Sequence, residues 1–155
     1  MTAHAKPVLL GLGILIAIPA AWAAEERLTR KELPAAVRET ADDQSRNAIV
    51  RSYSKDSEDG KLEYEVAMTV NGHSRDITIA PDGRLLEIEE EVSFDTLPRK
   101  VRAGLQTRAR GAKIDKVESI TKHGSLVAYE AQIIRAGKRW EIQVGPEGNR
   151  LPHEE

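Results

Sequence analysis

The sequence predicts an α+β fold in which one antiparallel sheet of about seven or eight strands carries its helices on one face. Three observations predict it. Two segments place apolar residues at helical spacing, other segments alternate apolar and polar residues, and the whole pattern occurs twice. The chain is therefore predicted to contain two tandem units, each one helix followed by antiparallel strands, over residues 24–95 and 96–155.

The two units align at an offset of 64 or 65 residues. Residues 33–38 (LPAAVR) match residues 97–102 (LPRKVR). Residues 72–83 match residues 137–148, and both segments end in proline, an acidic residue and glycine. Because a unit of about 60 residues buries too little surface to be stable alone, we expect residues 24–155 to form one domain with a shared sheet.

Each helix is predicted from apolar residues at i, i+4 and i+8, which form a stripe on one helix face. These residues are Leu33, Val37 and Ala41 in the first unit, and Leu97, Val101 and Leu105 in the second. Pro34 and Pro98 belong in a first turn or at a kink, because a proline inside a helix costs about 3 kcal/mol. Thr29 and Glu32 match a capping box for the first helix, and the second helix is expected to end near Gly111.

The clearest strand covers residues 62–70, where Tyr64, Val66 and Met68 alternate with polar or small residues. Asn71-Gly72 then predicts a type I′ hairpin, and Pro81-Asp82-Gly83 predicts the next turn. After Gly148 only seven residues remain. The last strand of the second unit is therefore expected to be short or missing.

Residues 1–23 are predicted to be an export signal. Lys6 precedes an apolar run over residues 8–18, and Ala21-Trp22-Ala23 has the small-x-small pattern of a cleavage site between Ala23 and Ala24. An uncleaved membrane anchor is the alternative. The chain has no cysteine, which excludes disulfides, a thiol nucleophile and a lipid-modified cysteine. We therefore expect a periplasmic or secreted protein.

The Leu-Pro-x-x-Val helix start, the Tyr-Glu strand pairs and the Pro-(Asp/Glu)-Gly turns occur twice between Leu33 and Leu151. In this the chain resembles the PepSY-like, β-lactamase-inhibitor-protein-like group. The resemblance implies an exported bacterial protein with a non-catalytic binding role. Related PepSY modules restrain or chaperone secreted peptidases, and the β-lactamase inhibitor binds its enzyme across an open sheet face. That inhibitor has disulfides, and this chain has none.

No catalytic, cofactor-binding or metal site is predicted, and we expect the protein not to be an enzyme. The chain has no paired histidine motif, nucleophile elbow, phosphate loop or dinucleotide fingerprint. Residues 56–60 (DSEDG) resemble part of a calcium loop but lack its ligand spacing, so a polar hairpin loop is the better interpretation. The net charge of −2 argues against nucleic acid as a partner.

Charge differs between the units. Residues 24–95 carry a net charge of −8, and residues 96–155 carry +5. On the strand faces opposite the apolar residues, the first unit places acidic side chains: Glu63, Glu65, Asp76, Glu87, Glu89 and Glu91. The second helix is basic through Arg99, Lys100, Arg102, Arg108 and Arg110. The asymmetry can serve solubility and attraction between the units, or it can mark binding surfaces.

In the functional interpretation, the acidic sheet face receives a cationic segment of another exported protein, such as a peptidase. The basic helix then contacts anionic lipid weakly or touches a second copy of the chain. The alternative function is an envelope protein that senses a small ligand or metal, through the acidic face or through a pocket lined by Tyr64, Tyr129 and Trp140. A weak hydrolase is the third hypothesis. The sequence leaves monomer and dimer equally open.

Overall fold

The computed structural model describes residues 26–58, 60–153 and 155. Eight strands form one sheet in which every strand pairs antiparallel with its neighbour in the chain. The strands are β1 (Glu26–Leu28), β2 (Ile49–Glu58), β3 (Lys61–Val70), β4 (His73–Ile79), β5 (Leu85–Glu91), β6 (Lys113–Lys122), β7 (Ser125–Arg135) and β8 (Lys138–Val144). The helices are α1 (Ala35–Gln44) and α2 (Arg99–Ala109). The predicted α+β class is therefore confirmed, while the division into two tandem repeats stays a prediction.

Both helices pack on the same face of the sheet. Ile88 of β5 packs against the apolar cluster beneath α1, and Val92, just beyond β5, packs against the cluster beneath α2. Alternate residues of a strand point to one face, so the two clusters share that face. The predicted helix stripes form the helix side of these clusters: Leu33, Val37 and Ala41 beneath α1, and Leu97, Val101 and Leu105 beneath α2. The opposite face carries no helix among the described residues.

The two prolines lie at the helix starts. Pro34 is the N-cap residue of α1 and Pro98 that of α2, each with φ −53°. The capping box of Thr29 and Glu32 encloses a short 3₁₀ turn over Arg30–Glu32 instead of α1, so that assignment was wrong by one element. A proline can begin a helix because the first backbone N–H groups have no partner within the helix.

The two Pro-acid-Gly turns press against the helices. A Cβ atom on Gly83 would lie 2.9 Å from the carbonyl oxygen of Ala36, and one on Gly148 would overlap the carbonyl oxygen of Lys100. Thr40 Oγ1 donates to the Gly83 carbonyl at 2.6 Å. Only glycine permits this approach, because both residues have positive φ and no room for a side chain. The turns thus fix each helix over its strands.

Two sequence predictions fall partly or wholly outside the described residues. The signal segment over residues 1–23, with its cleavage site at Ala23 and Ala24, lies outside them, as does Asp59 of the acidic hairpin loop. Within the described part of the chain, neither helix has the length and apolar character needed to cross a membrane.

Candidate functional site on the helix-free sheet face

Acidic side chains concentrate on the sheet face that carries no helix. In register, Asp76 of β4 lies opposite Glu89 of β5, and Thr78 lies between Glu65 and Glu87. All six predicted acidic residues alternate with residues that face the helices, so all six share the free face. They are Glu63, Glu65, Asp76, Glu87, Glu89 and Glu91.

The second half of the sheet adds two carboxylates that the sequence prediction missed. Glu91 pairs with Glu118 of β6, and Glu118 pairs with Glu130 of β7. Glu130 had a signal in the sequence, because it aligns with Glu65 at the 65-residue offset. Glu118 had none, since its place beside Glu91 depends on how β5 pairs with β6. The acidic surface therefore crosses the middle of the sheet instead of stopping at residue 95.

Asp76 and Glu118, the carboxylates beside Glu89, have cationic or hydroxyl partners. Arg51 Nη2 lies 2.8 Å from Asp76 Oδ1, and Lys116 Nζ lies 2.7 Å from Glu118 Oε1. Glu118, only 4% exposed, also accepts from Ser74 Oγ at 3.3 Å. Burial raises the pKa of Asp76 despite the nearby Arg51 guanidinium. These contacts hold the acidic groups in place and neutralise part of their charge.

Glu91 shows the opposite effect on its pKa. The backbone N–H of Ser74 donates to Glu91 Oε2 at 2.9 Å, and the Ser74 hydroxyl donates at 3.1 Å. These hydrogen bonds stabilise the carboxylate, so the pKa of Glu91 lies below its ordinary value. His73 Nδ1 lies 3.5 Å from the same carboxylate and adds to the effect.

Glu89 lies at the centre of the acidic surface. Burial, followed by the charges of Glu87, Glu118 and Glu130, raises the pKa of Glu89 to about 8. A carboxyl group among carboxylates and away from water is more stable when protonated, because ionisation would add an unscreened negative charge. Glu89 therefore holds a proton at neutral pH, and an incoming cation could replace that proton.

Three of these residues approach each other closely enough to share one cation. Asp76, Glu89 and Glu118 each place a carboxylate oxygen within 4.8 Å of the others. We call this group the central acidic triad. Such oxygens are suitable ligands for a hard metal ion, and they equally accept charge-assisted hydrogen bonds from an ammonium or guanidinium group.

The segment after β8 returns to this face. The Glu155 backbone N–H donates to Gln143 Oε1 at 2.8 Å, and Gln143 Nε2 donates to the Glu155 carbonyl at 3.3 Å. Gln143 Nε2 also donates to Glu130 Oε2 at 2.9 Å. No strand follows β8 among the described residues, as predicted. Through Glu155, the chain instead contacts the second half of the acidic face.

The predicted basic patch lies on the other side of the sheet from the acidic surface. Its members, Arg99, Lys100, Arg102, Arg108 and Arg110, lie on α2 or at its C-terminal end. Lys100 Nζ contacts Glu147 Oε2 at 2.7 Å, so the Pro-Glu-Gly turn neutralises one of them. Cations that contact the acidic surface include Arg51, Lys116 and Lys122, whose Nζ lies 3.6 Å from Glu87 Oε2. The sequence prediction missed these three.

The aromatic pocket suggested by the sequence does not form. Tyr64 is buried beneath α1, Tyr129 packs partly buried beneath α2, and Trp140 is 58% exposed on β8. The two strand-flanking histidines are also apart, since His73 lines one cleft and His123 another. Tyr64 is therefore a core residue, whereas Trp140 is a surface residue.

Comparison with known proteins establishes the class of fold. No family model and no curated protein matches the chain. A Bacteroides eggerthii protein provisionally described as periplasmic superposes with a TM-score of 0.63 at 15% identity, over 76% of this chain and 85% of that one. A DUF2874 family protein from Bacteroides ovatus gives 0.59 at 16% identity, over 76% and 84% of the two chains.

A BLIP-like protein from Bacteroides fragilis has the same architecture, with a TM-score of 0.57 at 16% identity over 77% of this chain and 83% of that one. The chain is thus an α+β protein with one antiparallel sheet of the β-lactamase-inhibitor-protein-like kind. This confirms the part of the sequence resemblance that concerns the inhibitor fold. Membership of the PepSY group stays a prediction.

Proposed function

We propose that this chain is an exported, non-catalytic binding module whose helix-free sheet face receives a cationic segment of another exported protein. The observation that carries the proposal is the central acidic triad. Burial, followed by the charges of Glu87, Glu118 and Glu130, raises the pKa of Glu89 so that it retains a proton at neutral pH. A lysine or arginine side chain placed there would replace the proton and make charge-assisted hydrogen bonds to several carboxylates.

The location of the triad supports a protein partner. It lies in the middle of an eight-stranded sheet, with acidic side chains on β3 to β7 around it. A broad, flat, negatively charged surface attracts a cationic partner over a distance of about 10 Å, the screening length at moderate salt. The face is therefore suited to an extended or loop segment rich in lysine and arginine.

Export and restraint of a peptidase are further parts of this proposal. The predicted signal over residues 1–23 supports a periplasmic location, as does the fold shared with a Bacteroides eggerthii protein provisionally described as periplasmic. The β-lactamase-inhibitor-like architecture supports a binding role that uses the sheet face. A secreted peptidase with a basic surface loop is the partner that fits both the periplasmic location and the acidic sheet face.

A second candidate function is cation sensing by the same triad. Carboxylate oxygens of Asp76, Glu89 and Glu118 lie within 4.8 Å of one another, which is close enough for one divalent ion to bind all three. Calcium would then displace the proton of Glu89. The two functions differ in the ligand that binds the triad. A metal-sensing site binds calcium, whereas a protein-binding site binds a cationic peptide.

The test is binding of a twelve-residue peptide of alternating arginine and valine, measured by calorimetry at pH 8. We expect the Glu89→Gln plus Glu118→Gln variant to bind at least about tenfold more weakly than the wild type. The matched control is Glu90→Gln, since Glu90 neighbours Glu89 on β5 but faces the helices. Equal affinity of all three proteins would refute the proposal.

Salt and calcium complete the experiment. Raising ionic strength from about 20 to about 300 mM should weaken peptide binding at least about tenfold, because screening shortens the range of the attraction. An affinity that does not change with salt would contradict an electrostatic site. Calcium binding that is lost in the double variant, with no peptide binding at all, would favour the sensing function.

A further inference from the structure

A further cleft, distinct from those lined by His73 and His123, lies on the helix side of the sheet between the C-terminal half of α2 and strand β8. Its volume is about 540 Å³, within the range of ligand-binding clefts. Ile133 and Ile142 form a buried apolar floor, and Trp140 forms part of the wall. This cleft is separate from the acidic face, because Trp140 pairs with Ile133 on the side that faces α2.

Four arginines surround the cleft: Arg108, Arg110, Arg135 and Arg150. Among the described residues none of the four makes an ion pair. One acidic residue, Glu141, also lines the cleft. The cations of the acidic face are instead largely paired, as the Arg51 and Lys116 contacts show. The four arginines of the cleft therefore carry positive charge that no ion pair within the described residues neutralises.

Arg108, at the α2 end of the cleft, has a hydrogen-bond donor without a partner among the described residues. Arg108 Nε is buried and has no hydrogen-bond partner within the described residues. Arg135 Nη2 donates to the Ala109 carbonyl at 2.7 Å, which fixes its guanidinium at the end of α2. A buried donor without a partner is unfavourable unless a ligand completes it. A negatively charged ligand in the cleft would therefore meet Arg108 with an unused donor and Arg135 with its guanidinium held in place.

Strand β8 is an edge of the sheet. It pairs with β7 on one side, and no strand pairs with its other side among the described residues. Its outer backbone N–H and C=O groups are thus available to an added strand. Trp140 is 58% exposed beside that edge, and a large exposed indole next to arginines is typical of a binding surface.

We propose that this cleft binds an extended acidic peptide segment that adds as a strand to the free edge of β8. Every second side chain of the peptide points to the cleft side, and these positions include both acidic and apolar residues. The carboxylates contact the arginines, and the apolar side chains lie against Trp140 and the isoleucine floor. The inference goes beyond the proposed function, because it concerns the opposite side of the sheet and a ligand of opposite charge.

The test uses the full chain and a fluorescently labelled twelve-residue peptide with three repeats of Glu-Ser-Val-Ser, so that glutamate and valine point to the same side of the added strand. Binding is followed by fluorescence anisotropy. The Arg110→Gln plus Arg150→Gln variant changes two exposed residues of the cleft. The matched control is Arg99→Gln plus Arg102→Gln, which removes the same charge from α2 outside the cleft.

We expect the cleft variant to bind the peptide at least about tenfold more weakly than the wild type, and the control variant to lose less than about threefold. Trp140→Ala should weaken binding by a similar factor to the cleft variant, because the apolar contact is lost. If the cleft and control variants lost peptide affinity equally, the peptide would be responding to the overall positive charge of the protein, and the proposal would be overturned.

Strand addition has its own readout. Hydrogen exchange of the amides of β8 should slow when the peptide is bound, because an added strand protects the outer edge. Peptide binding without protection of β8 would contradict strand addition. Binding to vesicles that contain phosphatidylglycerol, with no peptide binding, would assign the arginines to a membrane surface and overturn the proposal as well.

Discussion

Gly148 lies directly against the backbone of Lys100, so closely that a Cβ atom on Gly148 would overlap the Lys100 carbonyl oxygen. The contact joins the turn after β8 to the first turn of α2. Gly83 lies in the same way against Ala36 of α1, where a Cβ atom added to Gly83 would be 2.9 Å from the Ala36 carbonyl oxygen. The helices are therefore positioned by backbone contact with the turns as well as by their apolar stripes.

Substitution of Gly148 by alanine should destabilise the protein by about 3 kcal/mol or more, because the new methyl group displaces α2 and the backbone has φ +78°. Gly137→Ala is the matched control, since Gly137 has φ +74° but open space around it. Its cost should be about 1 kcal/mol. Urea unfolding measures both, and equal costs would show that contact with Lys100 contributes nothing.

Replacement of Lys116 by methionine should destabilise the protein by about 2 kcal/mol at pH 8, because Glu118 is buried and loses its cation. Lys113→Met serves as the control, since Lys113 is exposed and its ion pair with Asp115 lies at the surface. An exposed pair contributes about 0–1 kcal/mol. Thermal unfolding at low salt gives the comparison, and a larger effect for Lys113 would contradict the described burial.

Glu89 should make the protein less stable as pH rises. Its folded pKa of about 8 exceeds its ordinary value of 4.5, so the folded state holds a proton that the unfolded chain has released between those pH values. The free energy of unfolding therefore falls through that window. Glu89→Gln removes this dependence, and its stability relative to the wild type should increase by about 4–5 kcal/mol between pH 4 and pH 9.

Glu91→Gln gives the opposite sign and thus a check on that result. The pKa of Glu91 is lowered by its hydrogen bonds from Ser74, so its contribution to stability is present above the ordinary value of 4.5 and lost as pH falls through the lower folded value. The variant should be less stable than the wild type at pH 7, and the difference should shrink in acid. Urea unfolding over a pH series measures both variants.

Leu105→Ala and Val37→Ala should each lower the midpoint temperature of one unfolding transition that involves the whole domain. Both side chains are fully buried, but beneath different helices. The loss of packing costs about 3 kcal/mol for leucine and less for valine. One cooperative transition is expected, because β5 pairs with β6 and joins the two clusters through one sheet. Calorimetry that resolves two transitions would contradict this.

Much of the fold follows from local sequence pattern. The apolar stripe of α1 and the alternation through β3 could be assigned because period and turn residues act over a few positions. Asn71 and Gly72 both have positive φ, as a type I′ turn requires. The six acidic residues of the first half could be placed on one face for the same reason.

The tertiary structure decided the rest. Glu118 reaches Glu91 only because β5 pairs with β6 across the middle of the chain, and no local pattern specifies that pairing. The proton on Glu89 depends on burial and on three carboxylates from other positions in the sheet. Trp140 is exposed because β8 lies at an edge.

The sequence by itself therefore determined the elements, the faces of the strands and the acidic character of one surface, because each depends on residues near in the chain. The structure alone decided which charges meet, which are buried and which remain without partners. Those properties depend on lateral strand order and on exclusion of water, both of which arise only when distant segments pack together.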